Sequence, residues 1–73
     1  MIDRGSPVEL HAQLATLLRG RIASGDLSGR IPSILTLTQE YGVSHRTAAR
    51  ALSTLRDSGE IVSVRGKGYY VKP

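Results

Sequence analysis

The chain has no cysteine among its 73 residues. This absence excludes a disulfide framework, a thiolate metal site and a cysteine nucleophile, and it is compatible with a reducing compartment. Long apolar runs are also absent, because none approaches the roughly 20 residues that span a bilayer. The first ten residues lack the charged-then-apolar pattern of a signal peptide. We therefore expect a soluble, cytoplasmic protein.

Groups that commonly carry catalysis are scarce as well. The two histidines, His11 and His45, are 34 positions apart, and neither paired carboxylates nor a phosphate-cradling glycine loop is present. His11 has no second ligand at metal-binding spacing, so we interpret it as a surface residue. These absences predict a protein without enzymatic activity, metal or cofactor.

The positive charge is concentrated in one part of the chain. The formal net charge is +4. Residues 1–43 contain four basic and four acidic residues, whereas residues 44–73 contain six basic and two acidic ones. Because each neutralised phosphate releases condensed counterions, a polyanion-binding surface requires such segregation. A merely solubilising charge is the alternative interpretation.

The first helix is predicted from an entry signal and an apolar stripe. Ser6-Pro7-Val8-Glu9 combines a capping serine, a proline suited to the first helical position and a glutamate that can close a capping box. Leucines and an isoleucine then recur at three- and four-residue spacing until Gly25. The first helix therefore covers about 7–24.

Two further helices follow in close succession. Ser33 can cap a second helix that ends at about Tyr41, and Ser44 can cap a third helix that continues to Asp57 or Ser58. A glycine follows each of these two helices. The connection between them is only about three residues long, which is the layout of a helix-turn-helix.

The third helix has a distinct core face. At roughly 100° per residue, the apolar positions cluster within about 100° of arc, centred nearly opposite Arg46. Arg46 and Arg50 are four residues apart and share the outer face. The arginines should therefore point away from the core residues Ala48, Ala51, Leu52 and Leu55.

After this helix the pattern changes to a hairpin. Residues 61–64 and 69–71 are β-branched or aromatic runs, and Arg65-Gly66-Lys67-Gly68 lies between them. The glycines remove side-chain bulk and the two cations flank them. A minor groove about 6 Å wide admits a thin basic loop of this kind.

Four segments together resemble the N-terminal DNA-binding domain of the GntR family of bacterial transcription regulators. They are RIASGDLSGRIPS, LTQEYGVSHRTAARALSTL, DSGEIV and VRGKGYYV, and the similarity covers about residues 7–71. The resemblance implies a mainly α fold with a small β-hairpin, a winged helix-turn-helix of three helices plus wing. The length of the chain predicts a single domain, 1–73, and the resemblance places its core at 7–71.

The resemblance also implies double-stranded DNA as the partner, usually bound by a dimer on a palindromic operator. The third helix would enter the major groove through its N-terminal residues, and the 65–68 wing would lie in or near the minor groove. The predicted DNA-binding residues are Ser33, Ser44, His45, Arg46, Thr47, Arg50, Arg65, Gly66, Lys67 and Gly68.

The sequence departs from the family pattern at several positions. Customary arginines are replaced at Leu35, His45 and Ala49, and Arg46 stands where threonine is usual. Because arginine can make a bidentate base contact that threonine cannot, we infer an altered operator rather than lost binding. Glu60, where leucine is preferred, predicts a less completely buried hairpin root.

Family members generally continue into a C-terminal domain that binds an effector, whereas this sequence stops at Pro73. We expect no small-molecule effector site here, and both an excised domain and a minimal protein remain open. The leading hypothesis is sequence-specific DNA binding for transcriptional regulation, most often repression. The alternative is a winged-helix interaction module that binds an acidic protein partner.

Overall fold

The computed structural model describes residues 2, 4–5 and 8–72. Three helices precede a two-stranded antiparallel sheet: α1 (Leu10–Ala23), α2 (Ile34–Tyr41), α3 (His45–Asp57), β1 (Ile61–Val64) and β2 (Gly68–Val71). The fold is the predicted winged helix-turn-helix. Among the described residues, no helix combines the length and the apolarity needed to cross a bilayer.

Helix α1 begins later than the sequence suggested. It starts at Leu10 rather than near residue 7, because Glu9 has extended backbone angles (φ −61°, ψ 147°) and its side chain caps no helical N–H group. The Glu9 carboxylate instead lies 2.5 Å from Nε2 of His11. Ser6 and Pro7, the other members of the expected capping box, lie outside the described residues. His11 is half-buried rather than fully at the surface.

Helices α2 and α3 match their predicted bounds because their caps form as expected. The Ser33 Oγ accepts a hydrogen bond from the Thr36 N–H, and the Ser44 Oγ accepts one from the Thr47 N–H. Gly42 follows α2 with φ +65°, a left-handed conformation that costs a glycine little. The turn between the two helices is therefore sharp and locally encoded.

The hairpin, residues Ile61–Val71, is called the wing below. Its register pairs Ile61 with Val71 and Val64 with Gly68. The turn is closed by a 2.9 Å hydrogen bond from the Lys67 N–H to the Val64 carbonyl. Gly68 therefore belongs to β2, and the wing tip is the shorter segment 65–67 rather than 65–68.

A short extended segment adds a third row to the wing. The Ile31 N–H donates to the Tyr69 carbonyl at 2.8 Å, and the Val71 N–H donates to the Gly29 carbonyl at 2.7 Å. Arg30 is thereby bridged to Tyr70 in antiparallel fashion. The segment that precedes α2 is consequently anchored along the outer edge of β2.

One apolar core holds the helices and the wing together. The predicted inner face of α3 is fully buried, and leucines of α1 and α2 and Ile61 of β1 pack against it. Glu60 is only partly buried at the wing root, although Ile61 beside it is 1% exposed. The core consists of Leu14, Ala15, Leu18, Leu27, Ile31, Leu37, Val43, Ala48, Ala51, Leu52, Leu55 and Ile61.

Candidate nucleic-acid interface

The outer face of α3 is positioned by the burial of its opposite face. Ala48, Ala51, Leu52 and Leu55 are each 0% exposed, and this leaves the helix only one orientation against the core. Arg46 and Arg50, four positions apart, are consequently both exposed on the opposite side. The sequence-based orientation of these cations agrees with the structure.

The N-terminus of α3 brings together four of the predicted residues. Ser44 Oγ lies 3.1 Å from the Thr47 N–H and donates to Thr47 Oγ1 at 3.0 Å. These two side chains therefore hold the first helical turn while His45 and Arg46 remain exposed. The leading N–H groups of a helix have no intrahelical acceptor, so this end favours an anion such as a phosphate.

The turn before α3 carries an additional cation. Arg4 donates a hydrogen bond from its guanidinium to the carbonyl oxygen of Gly42, the residue that follows α2. The early part of the chain thus reaches the helix-turn-helix connection. Sequence spacing contains no signal for this contact, because the two residues are 38 positions apart.

The wing tip places two cations in solvent. Arg65, Gly66 and Lys67 are all exposed, as is Gly68 at the start of β2. Gly66 has φ +78° and Gly68 has φ +102°, backbone conformations that residues with a Cβ atom rarely adopt. Glycine at both positions keeps this loop narrow. Ser33 lies apart from the tip residues in sequence, and its hydroxyl is engaged as the cap of α2.

The basic side chains divide into two groups by their neighbours. Arg19 lies 2.5 Å from Glu60, Arg21 lies 2.6 Å from Asp26, and Arg56 lies 3.5 Å from Asp57. Throughout the part of the chain that the structure describes, no carboxylate lies within 4.0 Å of a second group of cations. Among these unpaired cations are Arg30, Arg46, Arg50, Arg65 and Lys67.

Two of the ion pairs are accompanied by pKa shifts. The hydrogen bond from Arg19 lowers the pKa of Glu60 below its ordinary value of 4.5, and the same contact raises the pKa of Arg19. Hydrogen bonds to Asp26 and to the Tyr41 hydroxyl raise the pKa of Arg21. The Arg19–Glu60 and Arg21–Asp26 ion pairs thus offset positive charge on the α1 side of the molecule.

Arg30 is a cation whose place in the fold was not predicted from the sequence. It belongs to the electrically balanced first 43 residues, but the bridge to Tyr70 places it on the wing. The available signal was the extended Arg30-Ile31-Pro32 segment, in which Ile31 is buried and Arg30 is exposed. The partner strand was not apparent from that alternation alone.

A capped helix-turn-helix, followed by a thin basic wing and flanked by unpaired cations, defines the class of winged-helix DNA-binding domains. Across residues 10–71 the chain matches the model of the family described as bacterial regulatory proteins, gntR family. The chain belongs to this family. Within the described residues, no group of three or more histidine, aspartate or glutamate side chains is arranged to hold a metal ion.

Similarity to individual proteins agrees with this assignment. The chain is 37% identical, over 86% of its length, to the mannosyl-D-glycerate transport/metabolism system repressor MngR of Escherichia coli (strain K12), of which the match covers 27%. It resembles the solved structure of YtrA from Sulfolobus acidocaldarius, a GntR-family transcription factor, with TM-score 0.90 and 35% identity, covering 100% of this chain and 79% of that one.

A third similarity is to a solved complex with nucleic acid. The AraR DNA-binding domain in complex with operator ORR3 superposes with TM-score 0.81 and 30% identity, covering 99% of this chain and 92% of that one. The curated regulators are longer. The chain spans about 30% of the length of three of the curated relatives that it matches.

Proposed function

We propose that this chain binds double-stranded DNA in a sequence-specific manner and thereby regulates transcription, most often by repression. The observation that carries the proposal is that Arg46 and Arg50 are exposed on the face of α3 opposite its buried residues, with no carboxylate within 4.0 Å among the residues that the structure describes. Two cations held in this way on the second helix of a helix-turn-helix can reach the major groove.

In this mechanism, phosphate contacts supply affinity and base contacts supply selectivity. The exposed Arg46 and Arg50 are suited to guanine edges or phosphates, and Ser44, His45 and Thr47 to phosphates or adaptable contacts. Arg65 and Lys67 would follow the minor groove, with Gly66 and Gly68 allowing close approach. Ser33 is the remaining proposed contact, because it lies at the N-terminus of α2.

Several finer features belong to the same proposal. We propose a palindromic operator occupied by a homodimer, one half-site to each winged helix. The single domain would comprise 1–73 with its core at 7–71 and have no catalytic activity. A protein that acts on bacterial DNA would work in the cytoplasm and be associated with the nucleoid when bound.

An acidic protein partner is the less favoured alternative. The matched relatives are named as transcription regulators, and the AraR domain was solved with an operator. A pull-down in the presence of excess duplex separates the two ideas, since a true protein partner would survive the competitor. Loss of the captured partner would instead indicate that DNA occupies the same face.

A salt titration tests the proposal directly. Binding of a fluorescent duplex should weaken linearly in a plot of log affinity against log salt, with a slope of about −0.9 for each phosphate contacted. A flat dependence would contradict DNA binding by phosphate neutralisation. Selection from random duplexes should then yield a sequence with two inverted half-sites, whereas a single half-site would remove the dimer from the proposal.

A further inference from the structure

Arg30 lies at the wing although it precedes Ile61, the first residue of β1, by 31 positions in the sequence. Its backbone runs antiparallel to β2, with Arg30 bridged to Tyr70. Residues that pair directly across strands project from the same face of the sheet. Tyr70 in turn pairs with Val62, so these three side chains share the face opposite Ile61, which is buried in the core.

The guanidinium of Arg30 extends from this face toward the wing tip. Its Nη2 and Nε atoms lie 3.8 and 3.9 Å from the position that a Cβ atom of Gly68 would occupy. Gly68 is two residues closer to the tip than Tyr70, the bridge partner of Arg30. The positive charge of Arg30 therefore lies near the wing tip, which also contains Arg65 and Lys67.

The side chain also borders a notch between the wing and the N-terminus of α2. This notch has a volume of about 320 Å³, and its walls include Pro32, Ile34, Leu35 and Tyr69. Arg30 is the single cation among the described residues that line it. Leu35 is 65% exposed beside it, so the notch combines one positive charge with an otherwise largely apolar wall.

Among the residues that the structure describes, no carboxylate lies within 4.0 Å of the Arg30 guanidinium. Within residues 2, 4–5 and 8–72 it forms no ion pair, in contrast to Arg19, Arg21 and Arg56. An arginine stabilised by its own protein would be expected beside an acid, as those three are. The guanidinium of Arg30 instead remains available to an external anion, and its forked donors match the oxygens of a phosphate.

We propose that Arg30 binds a backbone phosphate of the DNA strand that borders the wing, making the wing a three-cation element rather than a two-cation one. The apolar wall formed by Pro32 and Leu35 lies against the adjoining deoxyribose. The inference rests on the proposed function, because it adds a phosphate contact to the same interface. The contact between Arg30 and the phosphate would add to the affinity for DNA without adding a sequence preference.

The test compares Arg30→Gln with Arg56→Gln on the selected operator duplex and on a random-sequence duplex. Each variant removes one positive charge from an exposed arginine, but Arg56 is held by Asp57 at 3.5 Å and by Ser53 at 3.2 Å. Arg30→Gln should make the log–log salt slope shallower by about 0.9 on both duplexes. Its affinity deficit should therefore shrink about threefold between 50 and 200 mM salt.

The controls separate the possible failures. Arg30→Lys retains the charge and should keep the wild-type slope, and thermal unfolding should show that all three variants fold. If Arg30→Gln and Arg56→Gln have the same slope as the wild type while the wild type binds DNA normally, the Arg30 assignment is overturned and the proposed function stands. If the wild type itself shows no salt-dependent binding, both are overturned.

A second experiment locates the partner. Single phosphates of the operator are replaced in turn by neutral methylphosphonates, and each modified duplex is bound by the wild type and by Arg30→Gln. At one position beside the minor groove, the substitution should weaken the wild type but leave the variant unaffected. Equal losses for the two proteins at every position would contradict a specific contact.

Discussion

The α1 side of the molecule and the face formed by α3 and the wing tip use the same residue type in different ways. On the α1 side, Arg19 and Arg21 lie 2.5 and 2.6 Å from Glu60 and Asp26. On the α3 face, Arg46 and Arg50 have no carboxylate within 4.0 Å among the described residues. Paired arginines connect elements of the fold, and unpaired ones remain available for a ligand.

Arg21 shows how extensive the pairing is. Its guanidinium reaches Asp26 after α1, Glu40 near the end of α2 at 3.0 Å and the Tyr41 hydroxyl at 2.8 Å. One side chain thus joins α1 to α2. The contrast teaches that the net charge of a segment is a weaker guide to polyanion binding than the position of each cation relative to the acids.

The substitution with the largest expected effect removes a core side chain that supports both faces. Leu52→Ala deletes a side chain that is 0% exposed in α3. It should lower the free energy of unfolding by about 2–5 kcal/mol, because a cavity remains in the core. Chemical denaturation measures the loss. Leu35→Ala, at a 65% exposed position, should change stability by less than about 0.5 kcal/mol, and equal effects would contradict the assigned core.

The next largest effects are expected on DNA affinity, when cations of α3 and of the wing are removed. Arg46→Ala should weaken operator binding by roughly 1–3 kcal/mol and relax the preference at one base pair. Lys67→Ala should weaken binding to all duplexes more uniformly, since a phosphate contact carries no sequence information. Competition with single-base-pair variants of the operator measures both. Losses of equal size on every sequence for both proteins would exclude the separate roles.

A substitution with a smaller expected effect tests the N-terminal cap of α3. Ser44→Ala removes the hydroxyl that lies 3.1 Å from the Thr47 N–H. The helix should lose about 1 kcal/mol, which corresponds to a fall in Tm of roughly 4–8 °C for a domain of this size. Ser28→Ala is a matched control, because Ser28 is exposed in the loop before Arg30. An unchanged Tm for Ser44→Ala would argue against the cap.

The smallest effect concerns the pairing on the α1 side. Glu60→Gln removes the partner of Arg19 and should cost at most about 1 kcal/mol, because both side chains are partly exposed. The pKa of Glu60 is lowered in the folded protein. Its stabilising contribution is therefore present above the ordinary value of 4.5 and is lost as the pH falls through the lower folded pKa.

Denaturation of the wild type and Glu60→Gln across this acidic range measures the difference between them. The gap should be constant at neutral pH and should close below about pH 4.5, the ordinary pKa of glutamate. A gap that widens on acidification would mean that the Arg19–Glu60 contact does not stabilise the fold.

Much of the helix-turn-helix follows from local chemistry. The hydroxyls of Ser33 and Ser44 each accept a hydrogen bond from the backbone N–H three residues later. Gly42 adopts the left-handed conformation that commonly ends a helix. The start of α1 was misplaced because the Glu9 carboxylate lies beside His11 instead of capping the helix. Competition between a side-chain contact and a cap is not visible in residue spacing.

The wing was predicted only in part, because one of its three rows comes from a distant segment of the chain. Its two strands and glycine-containing turn were predictable from β-branched and aromatic runs and from turn residues, apart from Gly68, which belongs to β2. The third row was not, because Arg30 and Tyr70 are remote in the sequence and only the tertiary fold brings them together. The same holds for Glu60, whose partner Arg19 is 41 positions earlier.

The sequence by itself determined the order of the elements, the caps of α2 and α3 and the outward direction of Arg46 and Arg50, since these depend on bonds and angles within a few residues. Only the tertiary structure decided which cations are neutralised and that Arg30 joins the wing. The physical reason is that a salt bridge requires N–O distances of about 4 Å or less, and distances that short between remote residues are set by how the core packs.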